Sequence, residues 1–187
     1  MTDAHPVVPP AAQRAAGTLD LSPAAAHPEL LPEVVRAALP DGAWVTAIDP
    51  GVADTAALVE AAGVPLDASA NCVVVAGKRE GAERVAACVV LAGTRADVNG
   101  AVKKLLEVRK ASFLPVERAV TESGMEFGGI TPVGLPAHWR VLVDTRVAAT
   151  DWVLVGSGVR RSKLVVRGAD LAALPNAEVV DIALAAG

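Results

Sequence analysis

The chain has 187 residues, 52% of them hydrophobic and 3% aromatic, with no tyrosine and a formal net charge of −4. That length and apolar content suffice for one well-packed core. The scarcity of rings excludes a nucleic-acid platform built from rows of stacked aromatics, and the charge excludes an overall basic field for gripping a phosphate backbone.

In chain order, residues 1–26 are Ala/Pro-rich and weakly patterned. They read as a flexible N-terminal arm, either a mobile tail or a segment lying on the domain. Residues 27–187 read as a single domain. Pro28 opens a helical stretch in which Leu30, Leu31, Val34, Val35 and Ala38 recur at spacings of three and four. Pro40-Asp41-Gly42 stops it, and residues 44–48 read as a strand. Asp54-Thr55 suits the start of a helix that runs through Leu58 to Gly63.

The centre is strand-rich. Residues 71–76 and 84–91 are apolar, β-branched runs around the polar turn 77–81, which predicts a hairpin. Asp97 starts a helix carrying Val102, Leu105 and Leu106, and a second short helix follows Pro115. Strands are predicted at 140–143, 152–155 and 163–166. A last helix begins near Ala169, with an edge strand at 178–182. Helices and strands alternate while several strands join through tight turns. This predicts an α/β (α+β) fold: a mixed, partly antiparallel sheet with helices packed outside. No strand is followed by G-x-G-x-x-G opening a helix, so no dinucleotide-binding unit is expected.

Cys72 and Cys88 lie inside apolar runs and read as small buried hydrophobes. Neither a disulfide framework nor a zinc pattern is expected from them. Residues 1–6 lack a basic stretch followed by an apolar one, and no apolar run is long enough to cross a bilayer. A cytoplasmic protein that engages no membrane and no DNA is the expectation. His5, His27 and His138 form no metal-ligand spacing, and the carboxylates show no paired arrangement for acid–base work. No metal or cofactor is called for. Exposed strand edges make a homodimer conceivable.

The densest signal is at residues 124–136, Gly-Met-Glu-Phe-Gly-Gly-Ile-Thr-Pro-Val-Gly-Leu-Pro, with four Gly and two Pro in thirteen positions. Gly permits positive φ and close backbone approach, and Pro fixes φ. The result is a shaped loop rich in bare backbone N–H groups, suited either to a structural turn or to cradling a polar ligand. Basic clusters occur at Lys78-Arg79, Lys103-Lys104, Arg109-Lys110 and Arg160-Arg161-Ser162-Lys163. The last follows Gly156-Ser157-Gly158, a backbone that can form an anion-binding nest, and paired Arg suit phosphate.

These segments, in this order, resemble the YbaK/EbsC branch of the aminoacyl-tRNA deacylases, the prolyl-tRNA-synthetase-associated domain family. Residues 54–65, with Glu-Ala-Ala-Gly-Val-Pro at their end, resemble the family's helix and small-Gly-Val-Pro turn. Residues 71–75 resemble its central strand, 97–111 its helix and basic turn, and 121–134 its Gly-Gly-Ile-Ser/Thr-Pro-x-Gly signature. Gly156-Ser157-Gly158 with Lys163-Leu164 resembles its last strand pair. Coverage is about residues 30 to 185. The resemblance implies a YbaK-like, partly barrel-like sheet surrounded by helices.

It also implies hydrolysis of the ester of mischarged aminoacyl-tRNA at the acceptor end, clearing small amino acids such as alanine or cysteine. The implied chemistry is led by the main chain of the loop 128–132. Its carried-over catalytic positions are Asn71, Gly128 and Gly129. Its carried-over substrate-binding positions are Cys72, Thr131, Pro132, Gly156, Ser157, Arg160, Arg161 and Lys163, the last three near phosphate. Many relatives start the central strand with Lys-Thr; the matching residues here are Asn71 and Cys72, and Lys163 on another strand is the candidate for the missing cation, with Lys78 a weaker one because its turn should lie at a strand's far end. The alternative expectation is a non-catalytic module of the same fold that binds a small ligand, a tRNA end or a protein.

Overall fold

The computed structural model describes residues 6–186. Its strands fall into three sheets, with no closed barrel among the described residues. The longest element pair is the hairpin of β3 (Ala70–Arg79) and β4 (Ala82–Leu91), in register from Ala70↔Leu91 to Arg79↔Ala82. Its turn is tighter than the predicted 77–81. Only Glu80 (φ +51°) and Gly81 (φ +82°) form it, the two positive φ values that a type I′ turn demands. Gly77 and Lys78 are therefore ladder residues. Gly77 has no room for a side chain, since an added Cβ would stand 2.6 Å from the Lys110 carbonyl.

β4 lies in the middle of the five-stranded sheet. β7 (Arg140–Asp144) runs parallel to it, and β10 (Ala177–Val180) runs parallel to β7 at one edge. β6 (Ala111–Phe113) pairs antiparallel with β3 at the other edge. The continuous burial of Val85 to Val90 follows from this central place, with both faces covered. The second sheet is antiparallel: β1 (Ser22–Pro23), β2 (Trp44–Ala47), β9 (Ser162–Arg167) and β8 (Trp152–Gly156). A parallel bridge between Ser69 and Leu154 stitches it to the start of β3. A small third sheet pairs β5 (Thr94–Ala96) with β11 (Ala183–Ala185).

Alternation along β3 and β4 sends Ala70, Cys72 and Val89 into the core shared with the second sheet. Val75 and Cys88 face a separate core closed by Val102, Leu106 and Ile182. The two cysteines are thus free thiols on opposite faces. Burial pushes both upward, Cys88 to about 12, so neither is a ready nucleophile.

The helices follow their signals unevenly. α3 (Thr55–Ala62) is capped by the Asp54 carboxylate accepting from the Ala56 N–H and closed by Gly63 in the left-handed region, as read. α5 (Val116–Ser123) ends the same way on Gly124. The helix predicted after Pro28 breaks in two, a single 3₁₀ turn at Pro28–Leu30 and the short α2 (Glu33–Arg36). Pro32 sits between them and lacks the N–H that would continue the ladder. The helix predicted from Asp97 opens as a wide π turn over Val98–Val102 before α4 (Lys103–Leu105), with the Asp97 carboxylate accepting from Gly100 and Ala101. Short helices α6 (Thr145–Ala148) and α7 (Gly168–Ala172) follow β7 and β9.

Residues 1–5 of the N-terminal arm lie outside the described residues. Beyond them, α1 (Pro10–Ala16) buries Ala12, Ala15 and Ala16 against a core that includes Leu154 and Val165. This part of the arm packs on the domain.

Candidate active site

The Gly-rich segment 124–136 and the turn between β8 and β9 are interlocked backbone to backbone. Glu126 to Gly129 makes a turn closed by the Gly129 N–H donating to the Glu126 carbonyl at 3.0 Å. Gly128, third in that turn, has φ +79°, the value a type II turn requires and a side chain resists. The Gly158 N–H donates to the Gly129 carbonyl at 2.7 Å, and the Glu126 N–H donates to the Gly158 carbonyl at 2.8 Å. The Glu126 carboxylate completes the clasp by accepting from the Arg160 N–H at 2.7 Å.

Close approach explains two further glycines. A Cβ on Gly129 would stand 2.6 Å from the Val159 carbonyl carbon, and one on Gly156 would stand 2.6 Å from the carbonyl oxygens of both Gly129 and Ile130. Among the described residues, no acceptor meets the N–H of Gly128 or Ile130. The clasp therefore presents two unused main-chain donors on either side of Gly129.

The segment 49–55, just ahead of α3, forms the facing wall. Arg160 donates through its guanidinium to the Pro50 carbonyl at 2.8 Å, and the same guanidinium lies where a Gly128 side chain would go. Lys163 donates its Nζ to the Ala53 carbonyl at 2.9 Å and is only 7% exposed. Burial lowers its pKa; the charge of Asp54 opposes that shift and the charge of Arg160 adds to it. Two residues on, the Thr55 hydroxyl donates to the Asn71 side-chain oxygen at 2.8 Å. Asn71 at the start of β3 and Lys163 on β9 thus meet the same Ala53–Thr55 turn from two sheets.

Gly128, Gly129, Gly156, Arg160 and Lys163 come together directly, and Asn71 joins them through Thr55. The others go elsewhere. Arg161 turns away to the Glu29 carbonyl at 2.7 Å. The Ser157 hydroxyl is buried and bonded to Ser162. The Gly158 N–H is spent on the Gly129 carbonyl, so the stretch 156–158 grips a neighbouring loop. Thr131 and Pro132 are buried; the Thr131 hydroxyl is fully buried without a partner. Cys72 packs in the core, one face away from Asn71. Sequence reasoning passed over Glu126, Thr55 and the carbonyls of Pro50 and Ala53. Glu126 lay inside the Gly-rich segment, where an acidic residue between glycines was the available signal. It also passed over Phe127, 61% exposed beside Gly128.

Comparison with known proteins gives the family of the chain. The model of the aminoacyl-tRNA editing domain matches residues 49–174, from the wall segment through α7. The chain belongs to that family, and an editing role follows from the membership. Over 130 residues it is 30% identical to a proline–tRNA ligase of Burkholderia ambifaria and 31% identical to one of Burkholderia cenocepacia. Each match covers 69% of this chain and 22% of the ligase, so the chain spans about a fifth of the length of these relatives. A crystal structure of a candidate trans-editing enzyme for prolyl tRNA synthetase shares the fold, with a TM-score of 0.67 at 18% identity over 97% of this chain and 100% of the other. Among the described residues, no helix is long and apolar enough to cross a membrane.

Proposed function

We propose that the chain is a trans-editing hydrolase that deacylates mischarged aminoacyl-tRNA, with a small amino-acid ester such as alanyl- or cysteinyl-tRNA-Pro as substrate. The observation that carries this reading is the pair of unpartnered N–H groups at Gly128 and Ile130, held rigid by the clasp of 126–129 on 156–160. Preorganised main-chain donors aimed at developing negative charge are the central requirement for cleaving an acyl ester. A water adds to the aminoacyl carbonyl carbon, and the carbonyl electrons move onto its oxygen, where these donors receive them. Collapse breaks the bond to the ribose oxygen, and that oxygen takes a proton originating from the attacking water.

Asn71, oriented by Thr55, is suited to hold the amino-acid end or the water, since an amide both donates and accepts. Arg160 is suited to the terminal phosphate, with its guanidinium over Gly128. The ligase relatives and the structural neighbour support proline tRNA as the carrier. The burial of Thr131 and Pro132 beside the loop supports a small acyl group, selected by size as in a second sieve.

The test is a panel of labelled Ala-, Ser-, Cys- and Pro-tRNA-Pro with mismatched tRNA controls, comparing the native chain with Asn71→Ala. Selective turnover of one small ester, reduced in the variant, is the expected result. No turnover of any substrate by folded protein would overturn the reading in favour of a binding module.

A further inference from the structure

Lys163 is the one basic side chain buried among the described residues. An ammonium carries three donors, and Lys163 spends one on the Ala53 carbonyl. No carboxylate among the described residues lies within ion-pair distance of it; Asp54 is the opposing charge that acts on it, and the Asp54 side chain is already engaged in capping α3. A desolvated charge with two donors left over is costly for the fold, and such groups concentrate where chemistry is done.

Its location is informative. Lys163 pairs with Gly156 across β8 and β9, and directly opposed residues project from the same sheet face. That is the face on which the Gly129–Ile130 peptide rests, because the missing Gly156 side chain leaves it room. Across the gap, the Ala53–Thr55 turn ties Lys163 and Asn71 together. A residue this enclosed does not reach out to a phosphate in solution, as Arg160 at the site's edge can.

We infer that Lys163 is a catalytic residue whose ammonium contacts the carbonyl oxygen of the bound aminoacyl ester, supplying a full positive charge that the Asn71 amide does not carry. This rests on the editing reading above. The charge forming on that oxygen is then shared between the Lys163 ammonium and the Gly128 and Ile130 N–H groups.

The experiment measures single-turnover hydrolysis by native protein, Lys163→Met and Lys163→Met/Asn71→Lys. Binding of a non-hydrolysable 3′-aminoacylamino-adenosine, with adenosine as control, is measured alongside. Lys163→Met is expected to lose about 10²–10³-fold in rate, as removal of one such donor does elsewhere, and to keep or raise its melting temperature. The double variant, which returns a cation to the same turn from β3, is expected to recover about tenfold of that loss, roughly one transition-state contact's worth. The native rate should fall as pH rises through the lowered Lys163 pKa, after subtraction of spontaneous hydrolysis, and Lys163→Met should lack that limb.

Equal rates in native and Lys163→Met protein would overturn the inference while leaving the editing reading intact. If the native chain hydrolyses nothing yet binds the analogue in a Lys163-dependent way, the editing reading fails and the contact stands. Absence of both turnover and analogue binding would overturn both.

Discussion

Asp144 and Lys163 are both buried charges at β-strand positions, and the protein treats them in opposite ways. Asp144 is fully enclosed and fully occupied: its carboxylate accepts from the N–H groups of Arg146 at 3.0 Å, Ile182 at 3.0 Å and Ala183 at 2.9 Å. It caps α6 and fastens the chain that leads into β11 to the end of β7. Lys163 is nearly as enclosed but has a single carbonyl partner. A buried charge saturated by main-chain donors is architecture; one left with spare donors beside a bare loop is available for a ligand. Mutation should separate the two roles.

Apart from the two charges themselves, the largest expected effect comes from the clasp that gives Lys163 its setting. Gly129→Ala introduces a Cβ 2.6 Å from the Val159 backbone, and backbone cannot rotate aside as a side chain would. The loop must lift, moving the Gly128 and Ile130 N–H groups together. Displacements near 1 Å at such sites cost on the order of 100-fold in rate, so single-turnover hydrolysis should fall by at least about that factor. A near-native rate would mean that the clasp does not position the donors.

Asp144→Ala should do the converse. It strands three main-chain N–H groups, and breaking a buried charged arrangement costs about 3–5 kcal/mol. Urea denaturation should show that loss, while protein that remains folded hydrolyses ester at the native rate. A fall in rate without loss of stability would erase the distinction between the two charges.

Glu126→Ala probes the clasp more gently. The Arg160 N–H loses an exposed acceptor, worth about 1 kcal/mol or somewhat more. A severalfold drop in rate with a small fall in melting temperature is expected.

What could be read from the sequence divides along a physical line. α3 was legible because its signals are local: Asp54 at one end, Gly63 at the other, apolar residues between. The strands of the hairpin are legible in their β-branched runs; the extent of their turn is not, because Glu80-Gly81 is a less familiar type I′ pair than Asn-Gly. The Gly-rich loop announced itself by composition. What its glycines avoid did not, because Val159 and the Gly129 and Ile130 carbonyls meet them from distant segments. The contacts that build the site join residues 110 apart, Arg160 to Pro50 and Lys163 to Ala53. Pairing between two irregular loops has no period, so no pattern along the chain records it. The stretch 156–158 makes the same point: its Gly-rich shape is readable along the chain, but the Gly129 carbonyl that meets its Gly158 N–H is not.

The smallest effect is a stability change with pH, and it tests Lys163 without any substrate. Burial lowers its folded-state pKa below the ordinary 10.5, which the unfolded chain retains. Between those two values the unfolded state binds more protons than the folded state, so stability rises with pH through that interval. Below the folded pKa, both states carry the charge and the full desolvation penalty is present; above 10.5, both are neutral and it has gone. Denaturation midpoints of native protein and Lys163→Met, compared at pH values from neutral to alkaline, should therefore converge as pH rises, with the variant the more stable near neutrality. Asp144→Ala should leave that convergence unchanged, because the two charges sit in different parts of the fold. Parallel curves for native protein and Lys163→Met would mean that the Lys163 amine reaches water in solution, and that its enclosure does not set it apart from the other basic side chains.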